Sequence, residues 1–225
     1  MSVALATVRV SPINALDAMS VSEPQQSDLA ALVTARICHD LVSSVGAVDN
    51  GVELISSLGA APQPADLAMI AESARTATLR MRMFRVAFGP HKGAAIDAAH
   101  LHECCKTALS RPRLSLDWHL DQTALPQPEG QLLLLLVMCA ESAMARGGTL
   151  EVRHDAEGIT LKAVTERPRI DADVWAWLDA DGPSHLPAPG QVHFAFAHIA
   201  AERIGWHLAW SSSGDQLTVA ARRPD

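Results

Sequence analysis

The sequence has no C-x-x-C pair, no basic excess and no continuous apolar run long enough to cross a bilayer. Each gap removes a class of function. The four cysteines, Cys38, Cys104, Cys105 and Cys139, are spaced as reduced thiols of a cytoplasmic protein, and not as a disulfide framework. His100 and Cys104 stand four apart and would share a helical face, but no second ligand pair follows to complete a metal site. Lys and Arg total 18 against 25 Asp and Glu, a net charge of −7. No broad basic face is available to neutralise phosphates, so nucleic acid is not the expected partner. The intensely apolar stretch Leu132–Val137 falls far short of the roughly 20 residues a spanning helix needs. It reads as a buried helix segment. No long apolar core follows a basic start near Met1, so no signal peptide is expected. The reading is a cytoplasmic protein with no membrane partner.

What is present is helical periodicity, and it divides the chain. At 225 residues and 48% hydrophobic content there is room for one large domain or two small ones. Residues 1–26 show no sustained period and read as a loose leader. A helix is expected from Ser27, with Ser27 as its N-cap. Val33, Ile37, Leu41, Val45, Val48, Val52 and Ile55 form its apolar stripe at steps of three and four. Gly59 to Pro64 then breaks the helix and turns the chain. A second helix carries Leu67, Ile70, Ala74, Ala77, Met81, Phe84 and Phe88, an unbroken heptad seam. Residues 27–89 therefore predict an antiparallel hairpin. One hairpin buries each stripe on a single neighbour only, so the expectation is a homodimer whose two hairpins form an intermolecular four-helix bundle.

Gly89–Gly93 reads as a hinge, and from Ala94 the texture changes. The patterns predict a helix over 97–109, a strand over 114–120 and a long helix over 129–146 stopped by Gly147-Gly148. Strands over 149–154 and 159–165 follow, then helical stretches near 172–178 and 192–204. A closing hairpin, 206–211 and 216–222, turns at Ser213-Gly214-Asp215. Residues 94–225 thus read as an α/β sandwich, with helices over one face of a mostly antiparallel sheet, and the whole chain is α+β.

The residue that breaks the hairpin pattern is His39. At about 100° per residue it lies roughly 170° from the centre of the first stripe. Arg36, Ser43, Gly46, Ala47 and Asn50 share its side. Gly46 costs about 1 kcal/mol in a helix interior relative to alanine, on a face where core packing does not require it. The small residues after His39 leave its ring accessible. A neutral imidazole is a nucleophile towards phosphorus and holds a phosphoryl group as a labile P–N bond. Arg36, three residues earlier, is placed to neutralise phosphoryl charge, and Ser43, four residues later, to hydrogen-bond it. Asp40 is about 100° around the helix, so its hold on the ring is expected to be less direct. It steers the ring or acts as a base.

His39-Asp40-Leu41 within "CHDLVSSVGAVDNGVELI" resembles the H-box region of dimeric sensor histidine kinases. More closely, "ARICHD" (35–40), "GVELI" (51–55) and "FRVAFG" (84–89) resemble the ChpT family of alphaproteobacterial histidine phosphotransferases. The resemblance runs from Asp28 to the C-terminus. Kinases usually carry proline five residues after the histidine, where Ser44 stands here.

The resemblance implies a C-terminal domain like the ATP-binding domain of histidine kinases, which holds Mg-ATP with paired asparagines and glycine-rich boxes. Alignment on Gly147-Gly148 puts Met138 and Ser142 at the asparagine positions. The next box reads Val164 to Arg169 with no glycine, and the last reads Gly190-Gln191-Val192-His193-Phe194-Ala195, bulky where phosphates need bare backbone. The expectation is a degenerate domain without a nucleotide and without autokinase activity. It implies a relay in which His39 takes a phosphoryl group from the receiver domain of a hybrid histidine kinase and passes it to response-regulator receivers. No cofactor is expected on this chain, since Mg²⁺ belongs to the receivers. Gly46, Ala47 and Asn50 would admit a receiver helix, with Arg167 and Arg169 as a second contact to its acidic pocket. Two other readings keep the same fold: a divergent kinase that binds ATP, and a non-phosphorylated dimer that only binds receivers.

Overall fold

The computed structural model of the chain describes residues 23–57, 63–91, 93–111, 113–179 and 185–224. Helix α1, Glu23–Ser57, and helix α2, Pro64–Phe88, pack along one another. Gly51 abuts Ile70, and Arg80 reaches back to Asp40, so the pair is antiparallel. Pro64 opens α2 at the position where a missing N–H costs nothing. The Gln63 N–H donates to the Asp66 carboxylate at 3.2 Å, closing the first turn.

Helix α1 begins earlier than its sequence pattern indicates. Ser27 lies inside it and is not its cap, and residues 23–26 are helical, not leader. Residues 1–22 of the expected leader and 58–62 of the expected turn lie outside the described residues. By length and composition alone, Ser27–Ser57 also passes as a membrane span. Arg36, His39, Asp40, Asp49 and Glu53 interrupt it, however, and its sides pack on α2, α6 (Val192–Ile204) and the 3-10 turn Pro189–Gln191.

The two stripes are used unevenly. On α1 the line buried against the rest of the chain runs through Leu29, Ser44 and Gly51, while Val45 and Val52 of the expected stripe are exposed. On α2, Ala77 and Phe84 are buried but Leu67 and Met81 are exposed, and Met83 and Ala87 are buried instead. The cause is the C-terminal domain. Helix α2 turns its Met83–Ala87 side onto α3 (Ala98–Ala108) and α4 (Gln127–Ala143), which rotates the seam partly away from α1.

That domain is a five-stranded sheet in the order β2-β4-β5-β7-β6, covered on one face by helices. Strands β2 (Leu114–Leu120) and β4 (Gly148–His154) are parallel, linked by a crossover through α4. Strands β5 (Gly158–Val164), β7 (Gln216–Arg222) and β6 (His207–Ser213) extend the sheet antiparallel. A small pair missed by the sequence pattern, β1 (Ile96–Asp97) with β3 (Ala124–Leu125), ties the hinge to the start of α4. Strand burial alternates, as one solvated and one covered face requires.

Helix α4 is the core of this domain. Leu132 to Val137 have no exposed surface, because a helix apolar all round is stable only when enclosed. Helices α2, α3 and α6 and the sheet enclose it. It ends at Ala143, and Gly147 and Gly148 (φ +90° and +132°) make the turn into β4. A Cβ on Gly148 would stand 2.2 Å from the Val164 carbonyl, so the turn requires glycine there. Helix α5, Ala172–Trp175, and a 3-10 turn over Ala176–Leu178 lead towards α6. They seat Trp175 against Phe194 and Trp210.

Candidate functional site

The outward side of α1 presents His39 with 85% of its side chain exposed. Neighbours on one helix do not normally face each other. Nevertheless Asp40 Oδ1 lies 3.0 Å from His39 Nδ1. Nδ1 is the ring nitrogen nearest the backbone, so a short carboxylate one residue on can reach it. The expectation of a less direct hold is corrected accordingly.

Asp40 is itself held from two directions. Arg36 Nε donates to its Oδ2 at 2.7 Å, one helical turn earlier, and Arg80 Nη1 of α2 donates to its backbone carbonyl at 2.8 Å. Burial alone would raise the Asp40 carboxyl. The hydrogen bond from His39 and the positive charges of Arg36 and Arg80 outweigh burial and hold it below its ordinary value. An ionised carboxylate only accepts, so Nδ1 carries the ring proton. In the neutral ring the lone pair is therefore on Nε2.

Arg36 is not free beside the ring, as the sequence suggested. Its Nε is on Asp40 and its Nη1 donates to the Gly190 carbonyl of the C-terminal domain. Beneath these contacts lies a cleft of about 270 Å³ between the hairpin and α3, α4 and α6. Its walls include Arg36, Asp40, Arg80, Arg111, Glu141 and His193. Arg111 Nε pairs with Glu141 at 2.6 Å. Burial pushes the Glu141 carboxyl up, and the charges of Arg111 and Arg36 only partly offset this. His193 is buried, with no side-chain partner for its ring nitrogens and only the Met138 backbone beside them. Burial, with the charge of Arg36 adding, brings its pKa down to about 3.

Ser43, Ala47 and Asn50 are exposed along the same helix, and a Cβ added to Gly46 would meet nothing within 4 Å. Arg167 and Arg169 are exposed on the loop after β5, where the Arg169 N–H donates to Ala143 at the end of α4. Among the described residues, no hydrogen bond or ion pair joins these two arginines to His39, Asp40 or Arg36. Sequence reasoning missed Arg80, Arg111, Glu141 and His193. Arg80 left a trace: it follows the seam residue Ala77 by three positions, a charged side chain on the α1-facing side of α2. The others come from separate elements, and only the fold brings them together.

A family model described as the histidine phosphotransferase C-terminal domain matches residues 98–216. Over 200 residues the chain is 37% identical to the protein phosphotransferase ChpT of Brucella abortus (strain 2308), covering 86% of this chain and 95% of that one. This chain belongs to the histidine phosphotransferase family. A solved bacterial phosphotransferase, 26% identical, superposes with a TM-score of 0.74 over 91% of this chain and 98% of that one. Met138 and Ser142 line the same cleft beside Gly190 and His193. Val192 to Ala195 are buried in the first turn of α6.

Proposed function

We propose that this protein is the histidine phosphotransferase of a multistep phosphorelay, with His39 as phosphoacceptor. The observation that carries the reading is the exposed His39 ring with Nδ1 held by Asp40 and Nε2 open to a partner. Nε2 attacks the phosphorus of a receiver's aspartyl phosphate. The P–N bond forms, the P–O bond breaks, and the receiver's carboxylate leaves. The ring then carries positive charge, which the Asp40 carboxylate stabilises through the Nδ1–H. The second transfer reverses these steps on another receiver.

Receivers dock on α1 along Ser43, Gly46, Ala47 and Asn50, where the open space over Gly46 admits a helix. Arg167 and Arg169 add contacts to the receiver's acidic pocket. Mg²⁺ is the receiver's own, and this chain uses no nucleotide, since the expected asparagine positions carry Met138 and Ser142 and the last box reads Gly190 to Ala195 with bulky residues. The chain works as a cytoplasmic homodimer. Support comes from two exposed apolar rows at seven-residue spacing, Cys38-Val45-Val52 on α1 and Leu67-Ala74-Met81 on α2. A four-helix bundle with a second copy would bury both.

The test is to mix the protein with a phosphorylated receiver, and separately with labelled Mg-ATP. Acid-labile phosphate from the receiver, with no labelling from ATP, is the expected result. Labelling from ATP alone would mean a kinase, and none from either a receiver-binding scaffold.

A further inference from the structure

The contact between Arg36 and Gly190 crosses from the hairpin to the C-terminal domain, and it ends a chain of four groups. The Gly190 carbonyl accepts from Arg36 Nη1, Arg36 Nε donates to Asp40 Oδ2, and Asp40 Oδ1 accepts from His39 Nδ1. One guanidinium thus serves two acceptors on two domains, which its planar fork permits and an ammonium does not. The packing supports the same arrangement, since α1 lies against the Pro189–Gln191 turn and α6, and His193 feels the charges of both Arg36 and Asp40.

Resting on the reading of His39 as phosphoacceptor, we infer that the C-terminal domain is a positioning element of the transfer site, acting through the Gly190 carbonyl on Arg36. Without that carbonyl, Arg36 loses one of its two anchors and no longer fixes the Asp40 carboxylate. The proton on His39 then divides between Nδ1 and Nε2, and the fraction with a nucleophilic Nε2 falls. The same contact gives the domain a use that needs no nucleotide. Gly190 is therefore a positioning residue, and it touches neither the phosphoryl group nor the receiver in this arrangement.

Gly190→Lys tests this in the full-length protein. Gly190 is exposed, and a Cβ there would lie 3.9 Å from Arg36 Nη1, so the new side chain fits while its charge repels the guanidinium. Arg36→Lys, which keeps the charge but not the fork, is the second variant should the first fail to fold. Two quantities are read: the rate of phosphate transfer from a phosphorylated receiver, and the ¹⁵N spectrum of the His39 ring. Both variants should slow transfer about 10-fold, the lower end of what losing an outer partner of an oriented histidine costs, and should move ring proton from Nδ1 towards Nε2. A wild-type rate, or a slower rate with an unchanged ring spectrum, overturns the inference, the latter because Gly190 would then act on receiver docking. Either failure leaves the phosphotransfer reading standing. That reading falls if wild type takes no acid-labile phosphate from the receiver, or if His39→Gln still accepts it.

Discussion

Asp40 Oδ1 lies 3.0 Å from His39 Nδ1 although the two residues are consecutive on α1. The contact places the ring proton on Nδ1, and Asp40 uses both carboxylate oxygens, one for His39 and one for Arg36. Asparagine replaces one acceptor oxygen with an NH₂ group that only donates, and so cannot accept from both His39 and Arg36 in this geometry. Asp40→Asn should therefore slow phosphoryl acceptance by about 10- to 100-fold, as the loss of a carboxylate that orients a histidine does, with the fold intact by circular dichroism. An unchanged transfer rate would show that Asp40 does not set the ring.

His193 makes acid stability a second test. Its folded pKa lies near 3, below that of a free histidine, so the unfolded chain binds a proton that the folded chain refuses. Stability should fall as pH drops from about 6.5 towards 3. Asp40, held below its ordinary value, works in the same direction at the acid end: its contribution is full above about pH 4 and is lost as pH falls through the folded pKa. Replacing His193 by leucine removes a poorly satisfied buried imidazole from the interior. Thermal melts of His193→Leu should lose less between pH 6.5 and 4 than wild type does. Parallel melting curves would refute the assignment.

Much of this architecture was legible in the sequence, for definite reasons. The helix over Val192–Ile204 and the strand over Leu114–Leu120 match residue for residue, because their patterns are local and their stops are strong. Helix α4 could be read as buried because an all-apolar stretch that short has no alternative. The α1 and α2 stripes were legible as periods but not as contacts. Periodicity gives the angle at which apolar residues lie, and not whether a sister helix, another domain or a second copy covers them. His39 was visible as a misfit, whereas its bond to Asp40 was hidden because a helical wheel counts angles and ignores how close Nδ1 sits to the backbone. Arg36 was assigned to the phosphoryl group because nothing local places Gly190 beside it.

Two glycines on α1 should respond in opposite ways. Gly46 faces open space, so Gly46→Ala should raise the melting temperature, in keeping with about 1 kcal/mol of helix propensity. Gly51 is buried with its Cβ position 2.5 Å from Ile70 Cγ1, so Gly51→Ala forces α2 aside and should lower it, since overpacking of a helix contact costs about 1–3 kcal/mol. Thermal denaturation of the two variants side by side decides the matter. Stabilisation by both would mean the hairpin is packed less closely than the structure indicates.

The exposed apolar rows make the dimer testable without truncation. Val45 is 56% and Met81 52% exposed in a single chain. Light scattering of the full-length protein should report two chains for wild type and one for the double variant Val45→Glu, Met81→Glu. A dimer that persists in the variant would put the interface elsewhere.

The most direct measurement concerns His39 itself. His39→Gln removes the proposed nucleophile from an exposed position, where substitution costs little stability. Wild type and variant are each incubated with a phosphorylated receiver, and acid-labile phosphate on the chain is counted. Wild type should take up phosphate and His39→Gln none, with both folded and of the same oligomeric size. Acid-labile phosphate on His39→Gln at the wild-type level would contradict the account and move the acceptor to another of the ten histidines.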